Sequence, residues 1–147
     1  MRALLRRYCP FFLCSALAMA SARAQTPTVL GYWREPGGSI IRIAPCAQRL
    51  CVEIAKLPGV KRAITDAHNP DPRLRNRPLC GLRIGEGFVE VDPQHASGGH
   101  LYDPRSGRTY DGEMTADGKF LHLRGYFHLR IFGRTQDWTR ASQPPPC

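Results

Sequence analysis

The chain has 147 residues, 42% of them hydrophobic and 22% charged, with 21 Lys and Arg against 12 Asp and Glu and a formal charge of +9. That length allows one domain with one modest core and excludes anything larger. The basic excess favours anionic surfaces or ligands, but no recognition motif accompanies it, so nucleic acid is excluded as a partner.

The first element in chain order is not structural. Residues 1–24 begin with Arg2, Arg6 and Arg7, continue through an apolar stretch from Tyr8 to Ala20, and end in Ala22-Arg23-Ala24. Basic, apolar and small-residue regions in that order predict a secretory signal peptide cleaved after Ala24. The apolar stretch is short for a membrane span and no other candidate follows, so the mature chain is expected to have none. Neither Cys9 nor Cys14 follows the small residues of a lipoprotein site. Cleavage leaves 123 residues with 17 Lys and Arg against 12 Asp and Glu, a net +5.

Residues 25–140 read as a single all-β domain, because apolar runs of strand length are cut by turn residues at short intervals. The runs are Val29–Arg34, Ser39–Ala44 and Leu50–Leu57, then, after a long central segment, Leu82–Ile84 and Phe88–Val91 around Gly85-Glu86-Gly87. Gly99–Tyr102 and Arg108–Met114 bracket Asp103-Pro104-Arg105-Ser106-Gly107, whose early proline and late glycine suit a hairpin turn. Ala116-Asp117-Gly118 is another turn. In Phe120–Phe127, Leu121, Leu123, Gly125 and Phe127 alternate with His122, Arg124 and Tyr126. Leu129–Phe132 and Thr135–Arg140 complete about eight to ten strands, and residues 141–147 are expected to be a disordered proline-rich tail.

A sandwich and an up-and-down barrel both use such strands. The first strand carries Gly31-Tyr32-Trp33 and the last ends in Trp138-Thr139-Arg140. This is similar to lipocalin-like barrels, in which the tryptophan of an N-terminal G-x-W plugs one end under an arginine of the last strand. Such a stack contributes about 0.5–2 kcal/mol. The expectation is a small antiparallel lipocalin-like barrel with a long central loop, its plug formed by Gly31, Trp33 and Arg140.

The mature chain keeps Cys46, Cys51, Cys80 and Cys147, and an exported chain holds them in an oxidising compartment where three connectivities are open. Cys46 and Cys51 flank a four-residue stretch between two strand runs and are expected to face each other across a hairpin. A bridge closing so short a loop is worth about 2 kcal/mol on the chain-entropy model. Cys80 is left with Cys147, which equally suits a free thiol or a bond to another molecule.

Together, G-Y-W, C-A-Q-R-L-C-V-E-I, D-A-H-N-P-D-P-R-L-R-N-R-P-L-C-G, L-Y-D-P-R-S-G-R-T-Y and L-R-G-Y-F through G-R-T-Q-D-W-T-R resemble an exported bacterial family, domain of unknown function 2147. The resemblance covers Gly31 to Arg140 and implies a small secreted lipocalin-like barrel. It implies no activity, because the family has no established one. Cys80 and Cys147 are not part of its pattern.

The least generic segment is Asp66–Gly81. Asp66, Asn69 and Asp71 lack the EF-hand spacing and a following bidentate glutamate, and read as turn-shaping residues ahead of Pro70 and Pro72. Arg73, Arg75 and Arg77 would form a comb if the segment were extended, suited to carboxylate or phosphate, but read first as a solvated face paired with nearby acids. His68, His95, His100, His122 and His128 show no metal-ligand spacing, and no serine sits in a nucleophile elbow. No cofactor or metal is expected. The candidate ligand-binding residues are Asp66, Asn69, Asp71, Arg73, Arg75, Tyr102, Tyr110 and Arg124. The first functional reading is a non-catalytic binding module for a small anionic or amphipathic ligand, or a partner segment, at the barrel mouth. The second is an interaction protein of the cell envelope with a basic surface, and the third an acid–base enzyme using Asp66, His68 and Asp71.

Overall fold

Short runs of alternating inward apolar residues, separated by glycine- and proline-bearing turns, can bury one face by packing two sheets together or by curling one sheet onto itself. The computed structural model, which describes residues 27–59 and 64–147, shows the second solution; the predicted signal peptide lies outside the described residues. Eight antiparallel strands follow in chain order: β1 (Gly31–Arg34), β2 (Ile40–Cys46), β3 (Arg49–Lys56), β4 (Arg83–Asp92), β5 (His95–Asp103), β6 (Arg108–Ala116), β7 (Phe120–Tyr126) and β8 (Arg134–Ala141). Each pairs with the next, and β1 pairs with β8 through Tyr32↔Ala141, Trp33↔Arg140 and Arg34↔Thr139, so the barrel is closed.

The interior is filled. Trp33, Ile41, Ile43, Val52, Phe88, Met114, Leu121 and Trp138 point into one contiguous core. Phe88 is fully buried, and its ring takes the space that side chains at Gly99 and Gly112 would occupy: a Cβ on Gly99 would overlap the ring, and one on Gly112 would lie 2.9 Å from Phe88 Cζ and Leu101 Cδ1. Facing glycines and one large ring are thus a matched set, as close packing requires.

One end of the barrel carries the expected plug. Trp33 is completely buried, and its Nε1 donates to the Val29 carbonyl at 2.8 Å. The Arg140 guanidinium lies 3.6 Å from the centre of the Trp33 ring and donates to the carbonyls of Leu30 (2.7 Å) and Thr28 (2.6 Å). Gly31 has φ +114, and a Cβ there would come within 3.0 Å of Arg140 Nη1, so the glycine of G-x-W answers to both backbone conformation and the arginine.

Both disulfides are intramolecular. Cys46–Cys51 spans the β2–β3 hairpin, and Cys80–Cys147 joins the end of the central loop to the C-terminus. Residues 142–147 have neither helix nor strand. Gln143, Pro144, Pro145, Pro146 and Cys147 border a groove with Tyr32, Arg42 and Glu53, side chains that alternate with the core residues of β1–β3 and so mark their outer faces. The tail therefore crosses the outside of the barrel to reach Cys80. Disulfides fit an oxidising compartment, and among the described residues no helix is long and apolar enough to cross a membrane.

Three sequence expectations are corrected. Leu82–Ile84 and Phe88–Val91 belong to the single strand β4: Gly85-Glu86-Gly87 makes no turn, but Gly87 at φ +80 accompanies shifts in the β3–β4 register. Leu129–Phe132 is no strand; Arg130–Phe132 is a 3₁₀ turn in the β7–β8 connection. The alternation in β7 holds for buried Leu121 and Leu123 and then reverses, with Tyr126 9% and Phe127 46% exposed. Arg130 packs 5.9 Å from the Tyr126 ring centre, which covers it from outside.

Candidate functional site

Chain direction reverses at each hairpin, so alternate connections share an end of the barrel. Opposite the plug, the mouth gathers the β1–β2 turn (35–39), the described parts of the β3–β4 loop (57–59 and 64–82), the β5–β6 turn (104–107) and the β7–β8 connection (127–133). Five of the candidate residues, Asp66, Asn69, Asp71, Arg73 and Arg75, lie in the β3–β4 loop.

The β3–β4 loop is built around Asp66. A fully buried carboxylate must be saturated by donors. Tyr102 Oη donates to Asp66 Oδ1 at 2.5 Å, while Oδ2 accepts from Asn69 Nδ2 (2.7 Å) and from Arg77 Nε (2.9 Å), with Arg77 Nη2 at 2.8 Å. Backbone bonds from Asp66 N to the Arg77 carbonyl (3.0 Å) and from Asn69 N to the Asp66 carbonyl (2.9 Å) close the loop on itself, next to the isolated Thr65↔Pro78 bridge. Burial alone would raise the Asp66 pKa, but donation from Tyr102, Asn69 and Arg77 outweighs it and holds the carboxyl below its ordinary value. Burial and then the bond to Asp66 push the Tyr102 phenol up.

Asp66, Asn69 and Tyr102 therefore come together, joined by Arg77, which was not among the candidates. Asp71 instead caps the 3₁₀ turn Pro72–Leu74, accepting from Arg73 N at 3.0 Å, and Arg73 folds back on it with Nη2–Oδ2 at 2.8 Å. Arg75 Nε donates to the Asn69 carbonyl at 2.8 Å. Because this segment turns rather than extends, the three arginines have three different partners and form no comb. Tyr110 packs against Phe127 with ring centres 4.5 Å apart and the ring planes tilted by 43°. Arg124 lies on the outer wall, donating to the Arg130 carbonyl (2.6 Å) and sitting 3.8 Å from Glu113.

A second buried acid was missed by sequence reasoning. Glu35, 8% exposed, accepts from Gly37 N (2.6 Å) and Ser39 N (3.0 Å) within its own turn, and from Arg105 Nη2 at 3.0 and 2.9 Å. Burial opposes its ionisation, yet these donors hold its pKa below the ordinary value. The bond joins the β1–β2 turn to the β5–β6 turn, hairpins on opposite sides of the ring, so it spans the mouth. The Asp66 loop abuts the same turn, since a Cβ on Gly107 would overlap the His68 carbonyl. The mouth is braced by polar contacts between loops.

No group of three or more His, Cys, Asp or Glu side chains suited to a metal occurs among the described residues. Exposed apolar side chains gather instead on the β7–β8 connection: Phe127, Leu129, Ile131 and Phe132.

Comparison with known proteins agrees with this architecture. A family model described as "Uncharacterized protein conserved in bacteria (DUF2147)" matches residues 31–140. The solved structure of protein HP1028 from Helicobacter pylori, described as belonging to the lipocalin family, superposes with a TM-score of 0.73 at 22% identity, covering 80% of this chain and 85% of that one. At that identity the likeness concerns the fold alone. A comparison with curated proteins gave no match.

Proposed function

The chain belongs to the DUF2147 family, and from its lipocalin-like barrel we propose that it is a non-catalytic binding module that meets its partner on the rim of the mouth rather than inside the barrel. The observation that supports this reading is the filled interior. Phe88 occupies the space opened by Gly99 and Gly112, and Trp33, Met114 and Leu121 are fully buried in the same core, where a ligand-carrying barrel keeps a cavity. The Glu35–Arg105 pair and the Asp66 loop brace the rim above it. Acid–base catalysis is disfavoured because Asp66, its most suggestive carboxylate, is fully buried and committed to structural donors.

The test is native mass spectrometry of the mature protein, combined with titration of Trp33 and Trp138 fluorescence with a long-chain fatty acid. The expected result is a chain mass carrying two disulfides and no small-molecule adduct, with no saturable quenching. A stoichiometric adduct, or saturable quenching at micromolar ligand, would put a ligand inside the barrel and defeat the reading.

A further inference from the structure

The β7–β8 connection is the part of the rim whose sequence and structure disagree most. Phe127, Leu129, Ile131 and Phe132 have the composition of a buried strand, yet they are 46, 57, 78 and 74% exposed. Single exposed apolar residues need no explanation, but a cluster on one short connection does.

The segment is also held in shape from behind. Arg124 Nη2 donates to the Arg130 carbonyl (2.6 Å), and that carbonyl also accepts from Gly133 N (3.0 Å). Arg130 Nη2 lies 3.3 Å from Glu113 Oε2. The Leu129 carbonyl accepts from Phe132 N at 3.1 Å. His128 takes a left-handed conformation, φ +55, which a non-glycine residue adopts only when its surroundings dictate it. These polar contacts lie on the barrel side, leaving the apolar side chains facing solvent.

The charge around this tip is basic. His128, Arg130 and Arg134 lie on the connection or at its end, Arg108 opens the neighbouring strand, and all four are exposed. Arg108 and Arg134 make no ion pair among the described residues; the acids nearby are Glu113, engaged by Arg124 and Arg130, Asp111, 3.1 Å from His100 Nδ1, and Asp103, which caps its own turn by accepting from Arg105 N and Ser106 Oγ.

We propose that the β7–β8 tip docks the protein on an anionic phospholipid surface, with Ile131 and Phe132 entering the headgroup boundary and Arg108 and Arg134 meeting lipid phosphates. This rests on the reading that the rim, not the interior, binds. Charge complementarity supports a bilayer, since apolar side chains ringed by arginines match an interface that is apolar beneath and negative at its surface. A seven-residue tip is small for a stable protein interface, which buries about 1,200–2,000 Å² in total, whereas a bilayer needs no matching shape.

The test is co-sedimentation of the mature protein with vesicles of phosphatidylcholine alone and of phosphatidylcholine with phosphatidylglycerol. Binding is expected to the anionic vesicles only, and to weaken as salt rises from 50 to 500 mM. The double change Ile131→Ser, Phe132→Ser is expected to lower the partition coefficient tenfold or more without altering the thermal midpoint, because neither residue is packed in the core. Arg134→Gln leaves the apolar residues in place and is expected to weaken binding to anionic vesicles while flattening its salt dependence. Equal binding to neutral vesicles, unchanged binding by the double variant, or no binding at all would overturn the proposal. So would cross-linking from position 131 that captures a protein while vesicle binding is absent. A failure here leaves the rim reading testable by the adduct and quenching measurements, which do not depend on this tip.

Discussion

Replacing Asp66 by Asn keeps the size of the side chain and removes its charge, which isolates what the buried carboxylate does for the central loop. Both its oxygens accept: Oδ1 from Tyr102, and Oδ2 from Asn69 and Arg77. An amide has one acceptor. If its nitrogen sits at the Oδ2 position it faces two donors; if it turns toward Tyr102, Arg77 still loses the negative charge opposite it. A hydrogen bond to a charged group contributes about 1.5–3 kcal/mol net, and Arg77, with a third of its side chain exposed, recovers part of the loss by turning to water. The expected destabilisation is about 2–3 kcal/mol at pH 7. With a urea slope of about 1–3 kcal/mol per molar, the midpoint falls by roughly 1–2 M, read from the fluorescence of the buried Trp33 and Trp138 with disulfides intact. The pH dependence gives an independent check. The folded Asp66 pKa lies below its ordinary value, so its stabilisation is complete above the unfolded value of 3.8 and is lost as pH falls through the folded value. The gap between wild type and Asp66→Asn must therefore narrow in strong acid. A midpoint unchanged at pH 7, or a gap as wide at pH 2 as at pH 7, would refute the account of Asp66 as the charged centre of the loop.

Gly99→Ala forces a methyl into the Phe88 ring and is expected to cost about 1–3 kcal/mol in urea unfolding; adding Phe88→Leu should recover part of that loss, a non-additivity that a mere strand-propensity effect would not show. His122 has its pKa raised, chiefly by its bond to Asp137 (2.7 Å), so its small contribution is present below pH 6.5 and lost as pH rises through the folded value; His122→Gln should flatten the thermal midpoint between pH 5 and 8. Changing both Cys80 and Cys147 to Ser opens a closure with a sequence separation of 67, worth up to about 4 kcal/mol on the chain-entropy model, measurable as a lowered midpoint in calorimetry.

What the sequence revealed, and what it hid, divides along the distance over which the causes act. The Asp103–Gly107 and Ala116–Gly118 turns were legible because their chemistry is local, with Gly107 and Gly118 at positive φ as those turns require. The plug was legible although its parts lie far apart, because Gly31, Trp33 and Arg140 fall on the first and last strands, which any closed barrel brings together. Gly85-Glu86-Gly87 misled because a bulge and a turn use the same residue type, and only pairing to β3 distinguishes them. Pairing of the loop arginines with nearby acids was legible, but which acid Arg77 takes was not, because Asp66 lies eleven residues away and meets it only once the loop is closed near Thr65 and Pro78. Glu35–Arg105 joins residues separated by 70 positions and belongs to no motif, so nothing short of the closed ring could pair them. In Leu129–Phe132 apolar composition predicted burial, whereas the loop is anchored by its polar groups and turns its apolar side chains outward.

The Cys80–Cys147 bond also redirects mechanical force. The β1–β8 seam rests on three register pairs, and it is where a pull on the C-terminal tail would begin to peel β8 away. With the tail crossing the outer faces of β1, β2 and β3 and bonded to Cys80, tension on Cys147 is delivered to the base of the central loop instead. The seam is bypassed, and it carries the load only after that single bond has been reduced.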